Sequence, residues 1–298
     1  MRVDRQRVNK RAVEALVKAG AFDALHADRA SALASVGLAL EWADTQAANK
    51  LQGGLFDFGD AGDAHGSSTQ EPSLVHVAPW DLHERLTQEK TAIGFYLSGH
   101  LFEAWRDEVR RFARTPIAET KDSREPQLLA GVVTDARTVN GQRGRALIFQ
   151  LDDGGESVEA VVNEELLDAN RELLQEDRLV IVQGKVQNDR FTGGLRLNVN
   201  QVWDLAAARA RFGRWLTVEL NGGTPPVAEV LKLWPPKRVE DDEGGTRVQG
   251  LLIRLRLHRA YVTAELDLGD DARFWPSDEA LLRWKSLARG GAATVVYE

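Results

Sequence analysis

The chain has 298 residues, 43% of them hydrophobic, a formal net charge of −7 and no cysteine. Without cysteine there are no disulfides, thiolate metal sites or cysteine nucleophiles, which fits a cytosolic protein. No apolar run is long enough to span a bilayer, and the charged start Met1–Arg7 lacks the apolar stretch of a signal peptide. The acidic balance excludes wholesale coating of nucleic acid but leaves room for a local basic patch.

The length suits two or three domains, and the pattern predicts a multidomain α+β chain. Its expected parts are a helix-hairpin-helix remnant (residues 1–51), a peptide and flexible linker (52–75), a helical connector (76–126), a five-stranded OB-fold β-barrel (127–205) and a small C-terminal α+β domain (206–298).

Val13, Leu16 and Val17 recur at helical spacing behind Asn9, a suitable N-cap. Gly20, within Ala19-Gly20-Ala21, supplies the left-handed residue that ends a helix. A second helical stretch is predicted from Asp28 to Lys50, with Leu33, Val36, Leu40 and Trp42. Helix, glycine turn, helix is the outline of a helix-hairpin-helix unit, whose backbone N–H groups can hold a phosphate. Arg2, Arg5, Arg7, Lys10 and Arg11 face only Asp4 in this opening stretch. Arg7, Lys10, Arg11 and Gly20 are the candidate nucleic-acid-binding residues here. A plain helical hairpin with a solvated basic end is the alternative. One helical pair buries little surface, so half of a domain is expected.

Gln52-Gly53-Gly54-Leu55-Phe56-Asp57-Phe58 sets two large apolar side chains among glycines, and polar low-complexity sequence follows to Gln70. An exposed Leu-Phe pair lowers solubility unless something covers it. It reads either as a plug on its own domain or as a short peptide for a partner's pocket. After Pro79-Trp80, the residues Leu82, Leu86, Ile93, Tyr96 and Leu97 predict a helix that stops near Ser98-Gly99-His100. A shorter helix is predicted from Leu101 to Phe112. His76, His83 and His100 lack metal-ligand spacing and read as surface or helix-end residues.

From Gln127 the period becomes two. Strands are predicted around Leu129–Val133, Leu147–Leu151 and Val158–Val162, with turns at Asn140-Gly141 and Asp153-Gly154-Gly155. A helix from Glu164 to Leu174 follows, then strands from Leu179 to Val186 and Leu195 to Val199. Three meander strands, a helix and two strands is the layout of an OB-fold, which binds oligonucleotides through strands 2–3 and the 1–2 and 4–5 loops. The first loop carries Arg137, Asn140, Arg143 and Arg145; the second carries Asn188, Asp189, Arg190 and Phe191. Cations for phosphates and an aromatic ring for stacking make Arg137, Arg143, Arg145, Arg190 and Phe191 candidate single-strand contacts. Residues 127–205 hold eight Lys/Arg against thirteen Asp/Glu. A protein-contacting or spacer barrel is therefore the alternative.

Beyond residue 205, Trp215–Leu220 alternates as a half-buried strand. A short helix is expected between Pro225-Pro226 and Pro235-Pro236, then strands over Val248–Leu257 and Tyr261–Leu268. A helix capped by Ser277 or Asp278 and a terminal strand from Ala293 to Tyr297 close the pattern. Trp234, Trp275 and Trp284 serve either as interface anchors or as core. No nucleophile turn, P-loop or dinucleotide fingerprint is present, and Asp152-Asp153 reads as a turn rather than a metal pair. No catalytic residue, metal site or cofactor is expected.

These parts in this order resemble the C-terminal third of bacterial replicative DNA polymerase III alpha subunits. The residues that carry the resemblance are Val8-Asn9-Lys10-Arg11 through Ala19-Gly20-Ala21-Phe22-Asp23, Gln52-Gly53-Gly54-Leu55-Phe56, Glu89-Lys90, the run Gly94-Phe95-Tyr96-Leu97-Ser98-Gly99-His100, and Phe191-Thr192-Gly193-Gly194-Leu195. The resemblance implies a clamp-binding peptide at Gln52, Leu55 and Phe56, with Gly54 where the family usually has a polar residue. It also implies duplex contact by the helical hairpin, an OB-fold beside the single-stranded template, and a last domain that binds the tau subunit of the clamp loader. The parent would be a DNA-directed DNA polymerase, a nucleotidyltransferase of the cytoplasm, whose catalytic core and phosphoesterase-like domain lie outside this sequence. The expected partners are the sliding clamp (beta subunit), tau and DNA, with no membrane. The rivals are a stand-alone single-strand-binding OB-fold protein and the tail of an error-prone relative, in which the tau-binding region would be reduced.

Overall fold

The computed structural model describes residues 8–53, 71–141, 144–189, 193–221, 225–240, 245–259 and 261–297. The chain forms two compact units, Met1–Ala104 and Trp105–Glu298. None of the described helices is long and apolar enough to cross a membrane.

The first unit contains α1 (Lys10–Lys18), α2 (Arg29–Gly53) and α3 (Leu82–Ile93). Asn9 caps α1 as expected, its Oδ1 accepting from the Ala12 N–H at 2.9 Å. Gly20 follows the helix end with φ of 83°, the left-handed conformation that favours glycine. α2 runs beyond the predicted end at Lys50 and takes Gln52 and Gly53 into its last turn. Before α3 the chain runs along α2, where the Val75 and Val77 N–H groups donate to Ser35 Oγ and Ser31 Oγ at 2.8 and 3.2 Å.

α3 stops at Gly94, left-handed with φ of 89°, short of the predicted Ser98-Gly99-His100. The chain turns back there because Glu89 recruits it. Leu97 and Ser98 donate their N–H groups to Glu89 Oε2 at 2.7 and 2.9 Å, and the Ser98 hydroxyl donates to Oε1. Arg29 Nη1 donates to the same Oε1 at 2.7 Å. Arg29 also holds Asp23 through two bonds of 2.7 and 2.6 Å and reaches the Lys18 carbonyl at 3.2 Å. Glu89 is wholly buried and Arg29 nearly so. Both are charged, so the burial demands this set of partners.

The predicted helix Leu101–Phe112 is broken. Leu101–Ala104 is a 3-10 turn that buries Leu101 and Phe102, and α4 covers only Arg106–Val109. In the second unit the barrel consists of β1 (Gln127–Gly141), β2 (Gly144–Asp152), β3 (Ser157–Asn163), α5 (Glu164–Ala169), β4 (Leu179–Asn188) and β5 (Leu195–Trp203). Strand order is β1-β2-β3-β5-β4, and β1 pairs with β4 to close it. Leu129, Val133, Phe149, Leu151, Val182, Val186 and Leu197 fill the interior. This is the expected five-stranded OB-fold.

Details differ from expectation. Asn140 and Gly141 lie in the ladder, opposite Arg145 and Gly144, so the hairpin turn falls after them. α5 ends at Ala169, because the Asn170 side chain donates to the Leu166 carbonyl at 2.9 Å and a turn follows. β4 passes through Gly184 with a register shift, where a Cβ would lie 2.3 Å from the Asn198 carbonyl oxygen. Only glycine allows β5 to approach so closely.

α6 (Leu205–Phe212) leads into the last domain. It contains β6 (Gly213–Leu220), α7 (Val227–Leu233), β7 (Lys237–Glu240), β8 (Thr246–Gln249), β9 (Leu252–His258), β10 (Thr263–Asp267), α8 (Asp278–Leu287) and β11 (Ala293–Tyr297). The main sheet has the order β10-β9-β6-β11, and β7 pairs only with β8. α6 and β7 were not anticipated. The predicted strand Val248–Leu257 divides at Gly250, where a Cβ would come within 3.0 Å of the Phe274 carbonyl oxygen. Leu251 there forms an isolated bridge with Phe274. Trp284 is a core residue, fully buried and edge-on to Phe274 at 6.1 Å; Trp234 packs partly buried against the same core.

Candidate nucleic-acid interface

Strand alternation sets what the barrel shows outward. Leu147, Phe149 and Leu151 of β2 and Val158, Ala160 and Val162 of β3 point inward, so Ile148, Gln150, Glu159 and Val161 lie on the outer face. Arg137 of β1 stands opposite Ile148 and shares that face. Its Nη2 lies 3.5 Å from Glu159 Oε2. Glu159 also binds Arg196 of β5 at 2.6 Å, and Arg196 reaches the buried Asp189 at 2.6 Å. The outer face therefore carries an alternating Arg137–Glu159–Arg196–Asp189 chain with little net charge.

Arg145 belongs to the other side of the β1–β2 ribbon, three positions from Ile148. Its Nη2 bonds Asp168 of α5 at 3.0 and 3.1 Å and lies 3.3 Å from Glu164. The fold thus separates Arg137 and Arg145 and pairs both. Arg143, Arg190 and Phe191 lie outside the described residues. Asp189, in the 4–5 loop, is a buried anchor whose backbone N–H donates to the Gly194 carbonyl at 2.8 Å.

In the helical unit Lys10 and Arg11 are exposed, with Lys10 Nζ 3.8 Å from Glu14. The Gly20 N–H donates to the Val17 carbonyl at 3.0 Å, and Ala19 and Ala21 donate within the same turn. A Cβ at Gly20 would sit 2.2 Å from Arg29 Nη2. Gly20 is therefore required for the turn and for the Arg29 guanidinium to pass. Arg7, Leu55 and Phe56 lie outside the described residues, as does the side chain of Gln52, whose backbone ends α2.

Among the described residues no group of His, Asp or Glu is arranged to hold a metal ion. Asp153 holds the β2–β3 turn. Its carboxylate accepts from the Gly155, Glu156 and Ile117 N–H groups at 3.1, 3.2 and 2.9 Å, and from Arg110. Burial pushes its pKa up, but these donors outweigh it and hold the group below the usual carboxylate range. The link from this turn to Arg110 and Ile117 had no signal in the sequence, because its partners are some forty positions away.

A family profile described as an OB-fold nucleic acid binding domain matches residues 128–205. The DNA polymerase III subunit alpha of Neisseria meningitidis serogroup B is 39% identical over 221 residues, covering 74% of this chain and 19% of that protein. The Vibrio cholerae subunit is 31% identical over 289 residues, covering 96% of this chain and 24% of that protein. The Escherichia coli K12 subunit is 31% identical over 284 residues, covering 94% and 24%. This chain spans about a fifth to a quarter of the length of these relatives. It is a member of the DNA polymerase III alpha subunit family, homologous to the C-terminal region of those proteins and built around an OB-fold nucleic-acid-binding domain.

Proposed function

We propose that this chain is the tethering and scaffolding module of a cytoplasmic replicative DNA polymerase. Gln52, Leu55 and Phe56 bind the sliding clamp. The helical unit touches duplex DNA through Arg7, Lys10 and Arg11, with Gly20 shaping the turn behind them. The barrel lies beside the single-stranded template, and residues 206–298 bind the clamp-loader tau subunit. The division into hairpin, peptide, connector, barrel and last domain, at the boundaries read from the sequence, belongs to this proposal.

The observation that carries it is the alignment of 96% of the chain with the Vibrio cholerae alpha subunit at 31% identity. Homology along nearly the whole chain favours the polymerase tail over a stand-alone OB-fold protein. The pairing of Arg145 with Asp168 and Glu164 leaves Arg143, Arg190 and Phe191 as the principal barrel contacts. Several weak contacts on one chain raise the overall attachment well above each alone. Co-purification with separately purified sliding clamp and tau tests the reading. Retention of both is expected; retention of neither overturns it.

A further inference from the structure

Within the second unit, α6 ends and β6 begins beside the segment that follows α4. Arg111, Phe112, Arg114, Arg211, Phe212, Gly213 and Arg214 line an open cleft of about 350 Å³ there. All four arginines are exposed, and among the described residues no carboxylate lines the cleft. Phe112 and Phe212 stack with ring centroids 5.4 Å apart and an interplanar angle of 6°. Tyr297 covers Phe112 at 5.2 Å, and Trp203 meets Phe212 edge-on at 5.5 Å. This aromatic stack forms the floor of the cleft.

The floor also holds the cations. The Arg211 guanidinium lies 5.1 Å from the Trp203 ring centre and 5.8 Å from that of Phe212. Arg214 lies 4.4 Å from the Trp215 ring centre. A guanidinium held on an aromatic face keeps its N–H donors for a ligand, whereas one held by a carboxylate does not. That sets Arg211 and Arg214 apart from Arg137, Arg145 and Arg196, whose donors meet Glu159, Asp168 and Asp189.

We propose that this arginine–aromatic cleft binds the phosphodiester backbone of single-stranded nucleic acid, without reading sequence. Planar guanidiniums match phosphate oxygens bidentately. The lining offers no aliphatic pocket to anchor a peptide side chain. Trp203 ends β5, and the 4–5 loop lies at the other end of that strand. The cleft is thus a second contact point, distinct from the loops of the function proposed above, at the opposite end of the barrel's last strand.

Fluorescence anisotropy of a labelled oligo(dT) with the full chain tests this across a salt series. Each phosphate contact contributes about 0.7 to the slope of log affinity against log salt. Arg211→Gln with Arg214→Gln is expected to weaken binding at least tenfold and to lower the slope by about 1.4, for two contacts at that value. Arg211→Lys with Arg214→Lys should restore most of the slope, which a merely structural role would not do. Unchanged affinity and slope in the Gln variant, or no binding by the wild-type chain, overturns the proposal. So does loss of a labelled poly-glutamate peptide with oligo(dT) binding intact, which would mark an acidic-protein site. Arg143→Ala with Arg190→Ala reads the loop contacts separately, and capture of clamp and tau is independent of both results.

Discussion

Glu89 shows how one buried side chain organises a unit. Burial raises its pKa, but the Ser98 hydroxyl, the Arg29 guanidinium and the N–H groups of Ser98 and Leu97 outweigh that and hold it down to about 2. Its folded pKa is depressed from 4.5, so its stabilising contribution is present above that value. The contribution fades as pH falls from about 4.5 toward 2. Glu89→Gln leaves Arg29 buried without this partner and is expected to cost about 3 kcal/mol in urea unfolding of the helical unit. The variant should also flatten the acid limb of its stability profile. An unchanged acid limb would show that Glu89 is not the titrating group. The sequence displayed Glu89 and the run Gly94–His100 as separate features. Nothing in spacing or period joins a helix carboxylate to N–H groups eight and nine positions later, so the fold-back onto Glu89 was not legible, although Gly94 carried the same stop signal as Gly20.

At the scale of elements, strand alternation, glycine turns and the helix between the third and fourth strands made the barrel and its order of elements readable. Closure was not, since Gly184 works through contact with Asn198 of another strand. α6 was hidden because its apolar residues are mostly alanine, which marks no face. Its run Arg209-Ala210-Arg211-Phe212-Gly213-Arg214, free of acidic residues, was the available signal for the basic cleft. Arg209 of this helix is buried and joins three elements. It binds Glu108 of α4 at 2.6 and 2.7 Å, Asp278 of α8 at 2.6 Å and the Pro276 carbonyl at 3.2 Å. The Tyr297 hydroxyl of β11 donates to the same Glu108 at 2.6 Å. Arg209→Met keeps much of the side-chain volume but strands Glu108. It is expected to destabilise the C-terminal sheet by about 2 kcal/mol and to separate its urea transition from that of the barrel. A single unshifted transition would show that the hub does not couple them.

The whole molecule combines an acidic chain with small cationic sites held on rigid elements. Its outer barrel face is charge-compensated by Glu159 and Asp189, so the proposed nucleic-acid contacts fall to the loops and to the cleft of Arg211 and Arg214. The order of parts was legible because each has its own period and punctuation. The two-unit division at Ala104 was not, because the predicted helix Leu101–Phe112 runs across it. Attachment to the replication machinery rests on Leu55 and Phe56 in the account proposed here. The most direct measurement is a binding isotherm of labelled sliding clamp with the full chain and with Leu55→Ala/Phe56→Ala, alongside thermal unfolding of both. Saturable binding by the wild type is expected, with a loss of more than tenfold in the variant and unchanged unfolding. Equal binding by both chains, or a variant whose helical unit unfolds, would contradict it.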